Sequence, residues 1–265
     1  MKIWLGPAGS PESSTLKGIK RVKELELNAM EVEFVRGVHM GKELSEQCGR
    51  LARELGIKLS VHAPYYINLL SRSEKVKKES VQRILISCER AAELGAKYVV
   101  FHPGYYGTLP KKTACKIVKQ AVVGMNEFIE QRKWKVKLAP ETSGKLSQFG
   151  TLDEVLSLSL ETGCSFCIDF AHIYARNLGK IDYEKIFDKI EKSEIKEIHS
   201  HFSNVSFGLK GERKHLVMDS SPPFEPLARV IIERGIDITI ISESPVTWKD
   251  SLKMKKIFEN VGYKF

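Results

Sequence analysis

The chain has 265 residues, 42% of them hydrophobic, which is enough to bury the core of one α/β domain. Lys and Arg number 42 against 33 Asp and Glu, so the formal net charge is +9, which favours polyanionic partners but also fits scattered surface lysines. A signal peptide and a run of 18 apolar residues are both missing, so we expect a cytoplasmic protein with no membrane partner.

Short apolar runs typical of β-strands alternate with longer amphipathic stretches along the whole chain. In order, the predicted strand and helix pairs are 2–5 with 15–27, 30–35 with 42–55, 59–62 with 74–94, 98–102 with 111–132, 136–139 with 152–161, 166–170 with 183–192, 197–202 with 224–234, and 238–242 with 248–260. Gly56, Gly95 and Gly235 follow predicted helices, where a left-handed residue commonly ends a helix. Residues 203–223 form the longest irregular stretch, and loops of that length are usually functional or disordered.

This alternation predicts the fold class. Strictly alternating strands and helices produce parallel strands with helical crossovers, and eight such units can close into a barrel. We therefore expect an α/β protein, a (β/α)8 TIM barrel that forms a single domain over residues 1–265. A doubly wound open sheet is the alternative, because alternation alone does not determine closure.

The five cysteines are an odd number in a chain with its own core, which argues against a disulfide framework. Cys164 and Cys167 have C-x-x-C spacing, but residues three apart on a strand face opposite sides. Core packing is therefore favoured over a redox or zinc pair.

Side chains that can bind metal ions fall at the carboxyl ends of the predicted strands. They are His62, His102, Glu141, Asp169, His172, His201 and Glu243. In α/β barrels this end builds the active site, so these groups should converge on one pocket. Imidazole and carboxylate ligands together suit zinc, manganese or iron, and seven are too many for one ion. The set indicates two or three ions bridged by a carboxylate, which suits phosphoester hydrolysis by a metal-bound hydroxide.

Four segments resemble, in order, the motifs of the endonuclease IV family. They are His62-Ala63-Pro64-Tyr65-Tyr66-Ile67-Asn68-Leu69, His102-Pro103-Gly104, Glu141-Thr142-Ser143-Gly144 and Cys167-Ile168-Asp169-Phe170-Ala171-His172. The resemblance implies a trinuclear-zinc barrel within the xylose-isomerase-like TIM barrels. It also implies a monomer that cleaves double-stranded DNA on the 5′ side of abasic sites during base excision repair.

The resemblance also implies roles for individual residues. The first zinc ion would be held by His62, His102 and Glu141, the second by Glu141, Asp169, His201 and Glu243, and the third by His172 among others. Glu141 and Glu243 would be the catalytic carboxylates, with manganese as an alternative to zinc. Tyr65 and Asn68 match the DNA-facing rim, and Arg36 and Arg213 lie in predicted loops that suit phosphate contacts.

The sequence departs from the family after the seventh strand. An Asp-x-His pair is expected there, but the chain has Glu212-Arg213-Lys214-His215, with lysine at the expected histidine position. We hypothesise that Glu212 and His215 hold the third ion after a shift of one residue. A two-metal site in which His172 plays another role is the alternative.

Other residues have two interpretations each. Arg176 lies in a predicted loop, where it would contact phosphates or remain an ordinary surface cation. Glu33 would orient a ligand or belong to the barrel interior, and His199 would support His201 or replace it as a ligand.

Two other functions also fit the sequence. A sugar isomerase or epimerase that uses a divalent metal shares the predicted architecture, because a fold alone does not determine function. A DNA-damage binding protein that keeps the metal ions without turnover is the third possibility.

Overall fold

In a computed structural model of the chain, whose described residues are 1–193 and 197–265, ten strands and nine helices follow one another. The strands are β1 (Ile3–Pro7), β2 (Ala29–Glu33), β3 (Lys58–His62), β4 (Tyr98–Phe101), β5 (Lys137–Pro140), β6 (Cys167–Asp169), β7 (Glu197–Phe202), β8 (Asn204–Gly208), β9 (Gly211–Leu216) and β10 (Asp237–Ser242). The helices are α1 (Thr15–Glu24), α2 (Lys42–Leu55), α3 (Glu74–Leu94), α4 (Lys111–Gln131), α5 (Leu152–Thr162), α6 (Phe170–Arg176), α7 (Tyr183–Glu191), α8 (Phe224–Glu233) and α9 (Trp248–Asn260).

Eight of the strands close into a parallel barrel. One sheet has the order β1-β10-β7-β6 and the other β2-β3-β4-β5. Parallel bridges between Ala8 and Glu31 and between Glu141 and Cys167 join the two sheets at both edges. The TIM barrel prediction is confirmed, and the open-sheet alternative is wrong because each edge strand has a partner.

The local sequence explains where the helices begin and end. Thr151 and Glu154 form a capping box that satisfies the first amide groups of α5. Gly56 and Gly95 end α2 and α3 in the left-handed conformation, as predicted. The helices bury apolar stripes against the barrel, where a fully buried side chain such as Phe101 contributes about 1.5–3 kcal/mol.

Two elements differ from the predictions. The sixth strand ends at Asp169, one residue early, because the Asp169 side chain accepts a hydrogen bond from the His172 amide and so begins the short helix α6. Within residues 203–223, predicted to be irregular, β8 and β9 form an antiparallel hairpin. This hairpin packs on α6 through Val205, which contacts Ala171 and Ala175.

The cysteines and the helices bear on two expectations that were drawn from composition. All five cysteines are free, and Cys164 and Cys167 are buried, as core packing requires. Among the described ranges, no helix is both long enough and apolar enough to cross a membrane.

Candidate metal centre

A cavity of about 500 Å³ opens at the carboxyl ends of the barrel strands. Its lining includes Glu33, His62, Tyr65, His102, Lys145, His172, Glu212, His215 and Glu243. The predicted metal-binding side chains therefore do converge, with the completely buried Glu141 and Asp169 beneath them.

A first cluster consists of His62, His102 and Glu141, whose ligand atoms lie within 4.8 Å of one another. The Nε2 atoms of His62 and His102 lie 3.3 and 3.1 Å from Glu141 Oε2. His62 Nδ1 contacts the Ala63 carbonyl at 2.8 Å, which fixes the tautomer that leaves Nε2 for a metal ion.

A second cluster consists of Glu141, Asp169, His201 and Glu243. His201 Nδ1 lies 3.1 Å from Glu141 Oε1 and 3.2 Å from Glu243 Oε1. Glu141 thus turns one oxygen to the first cluster and the other to the second, which is the geometry of a bridging carboxylate.

A third cluster joins Asp169, His172, His215 and Glu243, with Glu212 beside it. His172 Nε2 lies 3.4 Å from Glu212 Oε2, and its Nδ1 contacts the Thr142 carbonyl at 2.9 Å. His215 Nε2 lies 3.5 Å from Glu243 Oε2. Glu243 therefore faces the second cluster with one oxygen and the third with the other.

A β-bulge brings Glu212 and His215 to the same face of β9. Ser206 pairs with Lys214 and Phe207 with Glu212, so Arg213 is an extra residue in the ladder. Without it, residues three apart would face opposite sides of the strand. Arg213 and Lys214 are exposed, whereas Glu212 and His215 line the cavity.

The donor atoms fit metal ions. Tetrahedral zinc with bonds of about 2.0–2.1 Å separates its nitrogen and oxygen ligands by about 3.3 Å, close to the separations between donor atoms above. In the described part of the chain, the buried atoms His102 Nδ1 and Asp169 Oδ2 have no hydrogen-bond partner. Buried carboxylates and imidazoles packed this closely are the chemistry of a polynuclear site.

Proton affinities in the cluster follow from burial and from neighbouring charges. Burial opposes charging of His62, but Glu33 and Glu141 outweigh it and raise the pKa of His62 to about 10. Burial lowers the pKa of His102 to about 4 and raises that of Asp169 to about 6. Burial also raises the pKa of Glu33 to about 8.

The hairpin is anchored to the loop after β5 by close backbone contacts. Glu212 donates its amide to the Gly144 carbonyl at 3.0 Å, and a Cβ on Gly211 would lie 2.1 Å from that oxygen.

Arg176 does not point to a phosphate site. It donates to the carbonyls of Ser143, Lys145 and Gln148 within the same loop, so its role is structural.

The residues expected to contact DNA lie in different surroundings. Tyr65 is 62% exposed and lines the cavity, and Arg36 and Arg213 are exposed. Asn68 is half-buried, and its Oδ1 accepts from the amides of Leu70 and Tyr105. Its side chain therefore holds the rim loop together.

Sequence reasoning overlooked two residues beside the clusters. Ser203 contacts His215 Nδ1 at 2.7 Å through its hydroxyl, and Glu31 lies buried beneath His201. The signal for Glu31 was the Glu31-Val32-Glu33 pattern, in which two acids occupy the same face of a strand predicted to be buried. His199 contacts Glu31 at 2.9 Å through Nε2, which agrees with the supporting interpretation.

Comparison with known proteins identifies the family. The model of the xylose isomerase-like TIM barrel family matches residues 19–257. The chain belongs to this family. Among members of known sequence, an uncharacterised protein of Methanocaldococcus jannaschii is 35% identical over 97% of both chains. A probable endonuclease 4 of Metamycoplasma arthritidis is 30% identical over 73% of this chain and 74% of its own.

Two solved structures share the barrel fold of this chain. Endonuclease IV from Thermus thermophilus superposes with a TM-score of 0.74 at 19% identity, covering 98% of both chains. A D-tagatose 3-epimerase-like protein also gives 0.74, at 22% identity, covering 98% of this chain and 96% of its own. At these identities the superpositions establish the shared barrel alone.

Proposed function

We propose that the chain is a metal-dependent endonuclease that hydrolyses the DNA phosphodiester bond on the 5′ side of abasic sites. The observation that carries this proposal is the pair of shared carboxylates, Glu141 and Glu243. Each turns its two oxygens to different clusters, which supports adjacent ions in one pocket. When bound, such ions supply a nucleophile and neutralise a departing oxygen, which a phosphodiester requires.

The side chains of the site would hold and shield these ions. Backbone carbonyls fix the tautomers of His62 and His172 so that Nε2 faces the cavity, and His215, whose Nδ1 contacts the Ser203 hydroxyl, also turns Nε2 to it. Asp169 and Glu141 are fully buried, which keeps water away from the lower side of the ions. The outer side of the cavity is open to a substrate.

The rim suits a nucleic acid. Tyr65 and Tyr105 are exposed aromatic residues of the cavity lining, and bases or deoxyriboses stack on such rings. Lys145 lines the same cavity, and exposed Arg36 and Arg213 extend the positive surface. The net charge of +9 supports a phosphate backbone as partner.

A sugar isomerase or epimerase is the second candidate. Glu141, Asp169, His201 and Glu243 alone form a complete ligand set for one divalent ion. The histidines His62 and His102 would then have no metal-binding role. Their positions beside Glu141 favour the nuclease.

Cleavage of a defined DNA substrate tests the proposal. The purified protein is incubated with end-labelled duplex DNA that carries one abasic site, before and after prolonged chelation, and the products are resolved on a sequencing gel. We expect a single nick on the 5′ side that chelation abolishes and that zinc or manganese restores.

A variant pair controls for metal binding. Glu141→Gln should abolish the nick, whereas Glu154→Gln should keep it, because Glu154 is a half-buried capping residue of α5 that belongs to none of the metal-binding clusters. A fully metallated wild-type protein that leaves abasic DNA intact would exclude the nuclease and favour a sugar substrate.

A further inference from the structure

A buried polar network lies in the barrel interior directly beneath the second cluster. Glu31 of β2 is completely buried, and its side chain meets groups from two other strands. Its Oε2 accepts a hydrogen bond from the Ser60 hydroxyl at 2.6 Å and contacts His199 Nε2 at 2.9 Å. Two donors on one oxygen fix the carboxylate in a single orientation.

The other oxygen of Glu31 faces His201. Glu31 Oε1 lies 2.8 Å from His201 Nε2, on the side of the ring away from Glu141 and Glu243. Within the described residues, neither atom has a hydrogen-bond partner elsewhere. Each of these two buried atoms is therefore the available partner of the other.

The contact between Glu31 and His201 gains a role when His201 binds a metal ion. An imidazole that binds an ion through Nδ1 carries its proton on Nε2, and a buried N–H group requires an acceptor. Carboxylates commonly provide it, and they orient the ring and raise its basicity. The Nδ1 atom of His201 is the one that faces the second cluster, so Nε2 must carry the proton.

We propose that Glu31 is a positioning residue for the metal centre, which accepts the Nε2 proton of His201 and holds this ring in the tautomer and orientation that the second cluster requires. This inference rests on the proposed metal site. It assigns Glu31 no contact with the substrate. Ser60 and His199 act on His201 indirectly, because they hold the other oxygen of the Glu31 carboxylate.

Metal affinity, measured without DNA, tests the role. Glu31→Gln keeps the side-chain volume but removes the charge and leaves one oxygen for three donors. We expect about 10–100-fold weaker binding of one zinc ion, with the other ions unchanged, because loss of a carboxylate behind a ligand histidine has this effect. Competition with a chelator gives the dissociation constants, and the Co²⁺ absorption spectrum reports the altered ligand field.

Thr239→Val is the matched control. Thr239 is buried in β10, pairs with His199 in the sheet register, and has a hydroxyl without a hydrogen-bond partner in the described structure. Its replacement should leave every dissociation constant unchanged. If Glu31→Gln does not fold, Ser60→Ala decides the question: weaker binding of the same ion supports the proposal, and unchanged binding overturns it.

Two results would overturn the proposal directly. The first is a folded Glu31→Gln variant that binds all its ions with wild-type affinity. The second is an additional deep-lying ion in the wild type that Cys167→Ser removes, because the ligand atoms of Cys167, His199 and His201 also lie within 4.8 Å of one another and His201 would then bind that ion instead of donating to Glu31. Failure of the DNA cleavage test would leave these affinity results intact.

Discussion

Replacing His215 by alanine tests how the hairpin contributes to the metal centre. His215 stands in β9, with Nδ1 against the Ser203 hydroxyl and Nε2 facing Glu243 and Glu212 at 3.5 and 3.8 Å. The substitution removes one imidazole from the third cluster and leaves the first cluster and the buried part of the second untouched. We therefore expect a folded protein that binds two ions instead of three.

The size of the effect follows from the number of ligands. A structural zinc ion with four protein ligands is held by about 10–16 kcal/mol, so one ligand contributes about 3–4 kcal/mol, or about 10²–10³-fold in the dissociation constant. The His215 side chain is 25% exposed, so water replaces part of the lost interaction. We therefore expect the dissociation constant of the third ion to rise by the lower end of that range, about 10²-fold.

The assay is elemental analysis after gel filtration in the presence of a mild chelator. Lys214→Ala is the matched control, because Lys214 neighbours His215 but is exposed and should leave the metal content unchanged. Deletion of Arg213 should also retain the third ion, since removal of the bulge leaves the glutamate and the histidine two residues apart on one strand face.

Two outcomes would refute this reasoning. Three ions in the His215→Ala variant would show that this residue is not a ligand. Two ions in both proteins would show that the third cluster binds no metal, as in the two-metal alternative.

Two further predictions concern the protons of the site and the anchoring of the hairpin. Burial opposes charging of His62, His172 and His201, but neighbouring acidic groups outweigh it and raise the pKa of each ring, so protons compete with metal ions for these nitrogens. Zinc loading should therefore release protons, measured by calorimetry in buffers of different ionisation enthalpy, and metal affinity should fall as pH falls; no release would contradict this. Gly211→Ala should detach the hairpin and lower the melting temperature, because φ at Gly211 is +92° and the new Cβ would collide with the Gly144 carbonyl. We expect the Gly211→Ala protein to lose the third ion and to retain the others. Gly124→Ala on α4 is the control: a Cβ at this position meets nothing within 4 Å, so this variant should bind all the ions.

The barrel and the convergence of the metal-binding residues were accessible from the sequence. Alternating periodicity identified eight strands, and parallel strands end on the same side, so residues as distant as His62 and Glu243 could be assigned to one pocket. The fold prediction is confirmed. The assignment of ions to ligands stays a prediction, now supported by distances.

The hairpin and the contacts of the buried supports were not accessible from the sequence. Residues 204–216 contain a bulge at Arg213 and polar residues on both faces, so they have no strand periodicity. Arg176 reads as a surface cation, and only tertiary structure brings three carbonyls of one loop to it. Glu31 lies in an apolar run whose partners come from strands far along the chain.

The carboxylates of this pocket influence the net charge of the whole molecule when metal ions bind. Six carboxylate side chains lie in or beneath the pocket: Glu31, Glu33, Glu141, Asp169, Glu212 and Glu243. With the ligand imidazoles neutral and these carboxylates ionised, three divalent ions balance their six negative charges. The three ions would add six positive charges, and the protons that the histidines release on binding would remove some of them, so the net charge of the chain would rise by less than six. Metal loading would thus strengthen the long-range attraction for a polyanion far beyond the pocket, and this gain would be largest at low ionic strength.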